Sequence, residues 1–309
     1  MLLKNNIPIK YVFGKIKYEV LAVTVYAATI ALLYDNFHFT RIAIPMSLPA
    51  IMGSILSLLL AFRSNQAYDR WWEARTLWGG IVNDSRTLAR MVINFAGNSF
   101  YDESTEIFKK RIVYRQIAWA YVVGQSLRNG TPLMGTDGLL TQKEIDAIRK
   151  ASNKGNCLLE LHAADIATGL RNGWINKHQQ VALERILEKL CDSMGGCERI
   201  KNTIFPATYS LYTHLCLILF IAFLPFALIE YFDFMEVPLV MAISATLFLI
   251  EKMSIHLQDP FENKPTDTPV TTIAKMIERD LKQMLKDTKT DEALQQVTTE
   301  SAQTSFYVL

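Results

Sequence analysis

The sequence predicts an all-α membrane protein with four transmembrane helices in each subunit and a large helical cytosolic region. Half of the 309 residues are hydrophobic, yet the chain also carries 32 basic and 30 acidic residues. The charged residues must therefore be segregated from the apolar ones, and four long runs are indeed almost free of charge. The remainder has apolar residues at helical spacing and no strand-rich region, which argues against a fold built on a sheet.

The four apolar runs are candidate membrane spans, because a spanning helix needs about 20 mostly apolar residues. They cover residues 20–34, 42–62, 202–229 and 237–250. The first and the last are the shortest, and they need flanking side chains to reach the membrane interface. Together the four runs predict two transmembrane hairpins.

The charges around the runs predict their direction. The connection 35–41 is close to neutral, and 230–236 contains three acids and no base, whereas basic residues precede the first run, follow the second and precede the third. Because Lys and Arg near the ends of spans mark the cytoplasmic side, both termini and the insert 63–201 are expected in the cytoplasm. The sequence therefore predicts a multi-pass membrane protein.

The predicted organisation follows from these spans. It comprises a first transmembrane hairpin (18–66), a cytosolic helical region (67–204), a second hairpin (205–252), a cytosolic segment (253–285) and a polar, disordered tail (286–309). Helices are predicted over 63–97, 103–128, 158–171, 177–199 and 273–285. Turn-forming residues at 129–132 and 172–173 predict breaks between them.

The residues offer little for catalysis or metal binding. The five histidines are never paired with Cys or a carboxylate at ligand spacing, and the chain has no HExxH, CxxC, GxSxG or phosphate-loop motif. We therefore predict no enzyme activity, no metal site and no cofactor. His214, inside the third run, is expected to bond a neighbouring helix. The net charge of +2 does not suggest a nucleic-acid partner.

One stripe on the second run could line a pore. Ser54, Leu58 and Phe62 lie at i, i+4 and i+8, and therefore on one face of a helix. Several copies around an axis would form three stacked rings, and a hydrophobic constriction of this kind can gate by dewetting. Periodicity alone leaves it equally open that the stripe packs against another span.

The stretch RSNQAYDRWWEARTLWGGIVNDSRTLAR (63–90) resembles the signature of the bestrophin family of ion channels, in its bacterial branch. The residues that carry the resemblance are Arg70, Trp71, Trp72, Glu73, Arg75, Trp78 and Gly79, with Pro260 and Phe261 after the last run. The resemblance covers nearly the whole chain. It implies a homopentamer in membrane lipid, with one central pore and with the segment 253–285 wrapped around the assembly.

The resemblance also implies which residues line the pore. The three neck positions of the family fall on Ser54, Leu58 and Phe62, and a second, cytosolic constriction falls on Val181. This favours pore lining over packing for the stripe. Most of the signature Arg, Trp and Glu residues are expected to hold helices together through ion pairs and cation–π contacts.

Two departures from the family pattern matter. Animal bestrophins follow Pro-Phe with an acidic run that helps to bind calcium, whereas Lys264 interrupts the corresponding run here. A lysine removes a ligand and adds repulsion, so calcium gating is not expected. In the neck, Ser54 replaces a bulky apolar residue, which predicts a wider and wetter outer ring.

The predicted function is passive conduction of small monovalent ions. Helix N-termini and cytosolic arginines favour chloride, whereas Asp69 and Glu73 near the inner vestibule would favour a monovalent cation such as sodium. A secondary transporter is a weaker alternative because the runs carry no central charge. The other alternative is a non-conducting scaffold or sensor whose cytosolic helices bind a partner.

Overall fold

A computed structural model of the chain describes residues 13–37, 44–97, 103–203 and 205–287. Within these ranges the regular structure is helical, as predicted, and no strand occurs. The helices are α1 (Lys17–Phe37), α2 (Ser47–Phe95), α3 (Glu103–Leu127), α4 (Gln142–Lys150), α5 (Lys154–Arg171), α6 (Lys177–Asn202), α7 (Ala207–Phe232), α8 (Glu236–Gln258) and α9 (Val270–Met284).

Helix α2 is the longest, with 49 residues, and it includes most of the second apolar run. It begins at Ser47 and not at the predicted start, residue 42. Proline restricts the residue before it to extended backbone, so Pro45 delays the helix by about one turn. Residues 42 and 43 lie outside the described residues. The predicted helical continuation beyond residue 63 is confirmed, because α2 runs unbroken to Phe95.

One compact unit comprises the described residues of Lys4–Trp71 and Ile204–Asp259. In it, α1 packs against α7 and α8, and α7 packs against α8. Apolar side chains from all four helical parts form its core, among them Val23, Ala27, Leu56, Leu60, Leu217, Phe220, Leu224, Val240 and Phe248. Large apolar residues are also exposed on the outer faces of these helices. A helix that is apolar on all sides is typical of a membrane span.

Three described segments are long and apolar enough to cross a membrane, namely Lys17–Asp35, Ser47–Phe95 and Ala207–Gln258. The third contains both α7 and α8, joined by a short 3₁₀ turn at Asp233–Met235. Asp233 has a φ of 45° and a ψ of −132°, a non-helical backbone conformation that ends α7. The two helices fold back on each other, since His214 Nδ1 of α7 lies 3.0 Å from Glu251 Oε1 of α8.

The second compact unit comprises Trp72–Thr203 and the described part of Pro260–Leu309. Helix α3 is its centre and packs against α5, α6 and α9. Trp119 of α3 is fully buried, and its indole N–H donates to the carbonyl of Gly155 at 3.1 Å. A buried indole N–H needs such a partner, so this bond ties α3 to the start of α5.

The predicted breaks within this unit are confirmed. Asn129 ends its segment with a φ of 54° and Gly173 with a φ of 71°, both in the left-handed region that Asn and Gly adopt most readily. The helices that follow are capped by asparagines. Asn153 accepts from the Asn156 N–H at the start of α5, and Asn176 forms a capping box with Gln179 at the start of α6.

The predicted amphipathic helix after the last apolar run is α9, although it begins three residues earlier than expected. Its buried residues lie on one face of the helix, with the spacing i, i+3, i+4, i+7 and i+11: Val270, Ile273, Ala274, Ile277 and Leu281. Of the predicted tail 286–309, only residues 286 and 287 are described. The rest of that tail, residues 38–41 of the first connection and the flanking lysines Lys4 and Lys10 lie outside the described residues.

Candidate functional site

The predicted pore stripe lies on the uncovered face of α2. Leu58 is 72% exposed and Phe62 is 52% exposed, and Ser54 is exposed as well. The opposite face carries Leu56 and Leu60, both buried in the core of the unit. In the described protomer much of the stripe is therefore exposed, although the ring of Phe62 also contacts a tyrosine of α7. A row of exposed apolar side chains is expected to contact another protein subunit, to contact lipid, or to line a pore.

Contacts with α7 orient the inner end of the stripe. The ring of Phe62 lies 5.7 Å from the ring of Tyr209, centroid to centroid, in a tilted arrangement. The Tyr209 hydroxyl donates to the carbonyl of Leu59 at 3.0 Å. The Ser54 hydroxyl is satisfied locally, because it donates to the carbonyl of Ala50 at 2.9 Å. The stripe therefore presents one satisfied hydroxyl and two apolar side chains.

Val181, predicted as a second constriction, lies near the start of α6 in the other unit. Its side chain is 52% exposed, whereas Leu183, Ile186 and Leu187 on the same helix are buried. The helix thus turns a lone aliphatic residue outward while its other apolar residues form the core. Like the stripe on α2, Val181 is an exposed apolar side chain on a helix whose opposite face is buried.

The signature residues have several different environments. Arg70 donates from Nε to the carbonyl of Gln258 at 2.9 Å and lies 3.9 Å from Asp259, so it holds α2 to the end of α8. Glu73 pairs with Arg199 of α6. Trp78 is fully buried, but Trp72 is 55% exposed. For Arg70 and Glu73, the expected ion pairs between helices are confirmed.

The remaining signature residues lie in the unit that begins at Trp72, except Trp71, whose ring packs near Tyr68 of the same helix at 5.9 Å. Arg75 and Gly79 line a shallow cavity next to Pro269 and Ile273. Phe261 is buried in the same apolar cluster as Trp78. The buried Pro260 accepts a hydrogen bond from the Thr268 N–H at 3.1 Å, which closes the loop before α9.

A buried group of charges lies beside the stripe and was not predicted, because the fourth apolar run was expected to end at residue 250. The structure extends α8 to Gln258 and places Glu251 inside the unit, 3.7 Å from the equally buried Arg63. His214 bonds the same carboxylate, which confirms that this histidine bonds a neighbouring helix.

The unit that contains α3 has its own buried charge network. Arg115 donates to Glu144 at 2.6 Å, to Asp165 at 2.7 Å and to the carbonyl of Leu161 at 2.8 Å. Burial raises the pKa of Glu144. Hydrogen bonds from Thr141 and the Arg115 guanidinium have the opposite and larger effect, so the pKa of Glu144 lies below its usual value. Burial holds the pKa of His162 well below 6.5, with the nearby charge of Arg115 as a second cause.

The Cys197 thiol is not activated as a nucleophile. Burial, with the negative charges of Glu198 and Glu73, raises the pKa of the Cys197 thiol to about 12, which leaves it unreactive at neutral pH. Within the described ranges, no group of three or more His, Cys, Asp or Glu side chains could hold a metal ion.

The comparisons with known proteins agree on one family. A family model described as "Bacterial/Fungal Bestrophin protein" matches residues 9–283. The chain is 31% identical over 281 residues to a "voltage-dependent anion channel-forming protein" of Nostoc sp., with 87% of each chain covered. It is 29% identical over 258 residues to the voltage-dependent anion channel-forming protein YneE of Escherichia coli (strain K12), with 83% of each covered.

Solved structures give the same result for the fold. A bacterial bestrophin homolog from Klebsiella pneumoniae superposes with a TM-score of 0.82 at 26% sequence identity. The match covers 88% of this chain and 99% of that one. The helical arrangement described above is therefore one that has been observed experimentally in a related protein.

Proposed function

The chain belongs to the bacterial and fungal bestrophin family, and from this we propose that it is an ion channel whose pore is lined by α2. It passes small monovalent ions passively, with anions such as chloride favoured. Ser54, Leu58 and Phe62 form the neck, and Val181 forms a second, cytosolic constriction. The observation that carries the proposal is the stripe on α2, where two large apolar side chains are exposed at i and i+4 beyond a serine.

Several features support a channel over an enzyme. The relatives in Nostoc sp. and Escherichia coli are named as anion channel-forming proteins. The apolar rings of the neck suit a constriction that excludes water when it is closed. The buried thiol and the salt-bridged carboxylates of the α3 unit are occupied in packing, so they offer no activated nucleophile.

The assembly we propose is a homopentamer in the inner cell membrane. Each subunit crosses the membrane four times, through α1, α2, α7 and α8, with both termini in the cytoplasm. The supporting observations are the three long apolar segments, the third of which holds two antiparallel helices. A neck of single residues also needs several copies around an axis, because one exposed stripe encloses nothing by itself.

We propose that calcium has no role in gating. The loop that could bind it is closed by protein groups, since Lys264 Nζ pairs with Glu262 and Asp267 Oδ2 accepts the Lys264 N–H at 3.0 Å. Asp267 Oδ1 has no hydrogen-bond partner among the described residues, but calcium takes six to eight oxygen ligands. A lysine ammonium within the loop adds repulsion, so these residues do not fit the ion.

Cation conduction is the second candidate, and one residue favours it. Asp69 is exposed on α2, about two helical turns beyond Phe62, where its charge could attract cations. Glu73 contributes less because Arg199 pairs with it. The exposed carboxylate of Asp69 is weaker support than the two relatives that are named as anion channel-forming proteins, so anion conduction remains the primary proposal.

Planar bilayers containing the purified protein test both points. A channel gives stepwise single-channel currents, whereas a transporter or a scaffold gives none. In asymmetric NaCl, a reversal potential close to that of chloride supports the anion proposal, and one close to that of sodium replaces it with the cation candidate. Chelation of calcium on both sides should leave the open probability unchanged, and a loss of activity would contradict the calcium proposal.

A further inference from the structure

A charged residue is buried immediately behind the predicted neck. Arg63 follows Phe62 in α2, and only 3% of it is exposed. Its Nη1 lies 3.7 Å from Oε1 of Glu251 in α8, which is 2% exposed. That separation is too long for a hydrogen bond but close enough for an ion pair. A buried charge is strongly unfavourable unless it is paired, so the position of Arg63 is tied to that of Glu251.

A third helix meets the same carboxylate. His214 of α7 places Nδ1 3.0 Å from Glu251 Oε1, the oxygen that also faces Arg63. One residue further along α2, the hydroxyls of Ser64 and Ser254 lie 2.7 Å apart and join α2 to α8 a second time. Three helices of this unit therefore converge on one buried anion beside the stripe.

The direction of Phe62 depends on this arrangement. Consecutive residues of an α-helix differ by about 100° around its axis, because a turn contains 3.6 residues. With Arg63 held inward at Glu251, α2 cannot rotate without pulling a charge away from its partner, and Phe62 remains on the exposed face. Tyr209 contacts the Phe62 ring from the same helix that carries His214, so the ring is also held by a contact with α7.

We propose that Arg63 is a positioning residue for the neck. Its ion pair with Glu251, braced by His214, fixes the rotation of α2 and so sets how far Phe62 projects into the conduction path. The pair thereby determines the unitary conductance and the ion selectivity of the open channel. This inference rests on the proposed channel function.

Unitary currents in planar bilayers test the inference. Arg63→Gln and Glu251→Gln should each change the single-channel conductance by about twofold or more and shift the reversal potential, because either change removes the ion pair that holds the rotation of α2. The double variant should resemble one single variant, because both remove the same contact. Arg63→Lys keeps the charge and should restore conductance close to that of the wild type.

The neighbouring ion pair supplies the matched control. Lys252 follows Glu251 and bonds Glu19 at 2.9 Å, so it joins α8 to α1 instead of α2. Lys252→Gln should leave the unitary conductance and the reversal potential unchanged. If Arg63→Gln fails to assemble, His214→Ala provides a second test, because the half-exposed histidine ring can be removed with less effect on folding. His214→Ala should change the conductance in the same direction as Glu251→Gln does.

Two different failures can be told apart. A silent wild-type protein under the same conditions would contradict the channel function itself. A conducting wild type, with fewer channels but unaltered unitary currents in every assembled Arg63, Glu251 and His214 variant, would mean that the ion pair only stabilises the fold. That result would overturn the positioning role and leave the channel function intact.

Discussion

At the scale of single residues, the proposed neck consists of apolar side chains outside the core of the protomer. Leu58 and Phe62 are each more than half exposed. Against water this exposure costs about 1.5–3 kcal/mol for each side chain, whereas against lipid, which is itself apolar, the cost disappears. Only a water-filled path would make their exposure unfavourable, and that is the physical basis of a hydrophobic constriction.

The first prediction concerns the size of these side chains. Leu58→Ala and Phe62→Ala should each raise the single-channel conductance or the open probability, because a smaller, less apolar ring is easier to wet. Leu60→Ala, on the buried face of α2, is the control. It should lower thermal stability without that gain in current, and unchanged currents in both neck variants would reject the neck assignment.

The second prediction concerns His162, which is buried with no hydrogen-bond partner for either ring nitrogen among the described residues. Its pKa in the folded state is well below 6.5, so the unfolded state binds a proton more readily between the two values. Stability from this group is therefore complete above about pH 6.5 and is lost as the pH falls, at up to about 1.4 kcal/mol per pH unit.

Thermal unfolding at pH 7.5 and pH 5.5 measures this effect. His162→Leu should reduce the difference between the two melting temperatures, since it removes the proton uptake on unfolding. His178→Gln alters an exposed histidine and should retain the wild-type pH dependence. An equal pH dependence in wild type and His162→Leu would assign the acid sensitivity to other groups.

At the scale of elements, α2 serves both compact units. Its first half contributes Leu56 and Leu60 to one apolar core, and its second half contributes Trp78, Ile81 and Leu88 to the other. A continuous helix of 49 residues is long because each half is stabilised by tertiary packing, not by helix propensity alone. The apolar entry and the charged exit of this helix are therefore parts of one element.

The third prediction concerns the docking of α9 on α3. Ile277 is fully buried at the middle of α9. Ile277→Ala should lower the free energy of unfolding by about 2–5 kcal/mol through lost burial and a residual cavity. The exposed Gln283 of the same helix is the matched control, and Gln283→Ala should have little effect. Denaturant or thermal unfolding in detergent compares the two, and equal stability would mean that α9 is not part of the core.

At the scale of the whole molecule, two tryptophans of the signature differ sharply in exposure. Trp78 is completely buried within the protomer, whereas Trp72 is more than half exposed. Exposed aromatic residues are typical of protein interfaces, where they contribute a large share of the binding energy. We therefore expect Trp72 to act between subunits and Trp78 within one.

The fourth prediction follows from this difference. Trp72→Ala should dissociate the assembly in detergent, as measured by light scattering or native mass spectrometry, and should leave the protomer folded. Trp78→Ala should instead destabilise the protomer by about 3–5 kcal/mol. An intact assembly in Trp72→Ala would remove this residue from the subunit interface.

The sequence predicted the helical class, the breaks at residues 129 and 173 and the amphipathic character of α9, because these depend on local periodicity and on turn-forming residues. It was less accurate at the start of α2, where Pro45 acts on the backbone before it. It missed the pairing of Arg63 with Glu251, since the two residues are 188 positions apart and only the packing of α2 beside α8 brings them together.

By itself the sequence determined the apolar segments, the order of helices and the residue stripe on α2, because hydrophobicity and the helical repeat are properties of neighbours along the chain. Only the tertiary structure decided which face of α2 is covered, which signature residues are buried, and which charge holds the helix in place. Those outcomes depend on contacts between distant segments, whose energies are absent from any local pattern. The buried ion pair behind Phe62 is the clearest case.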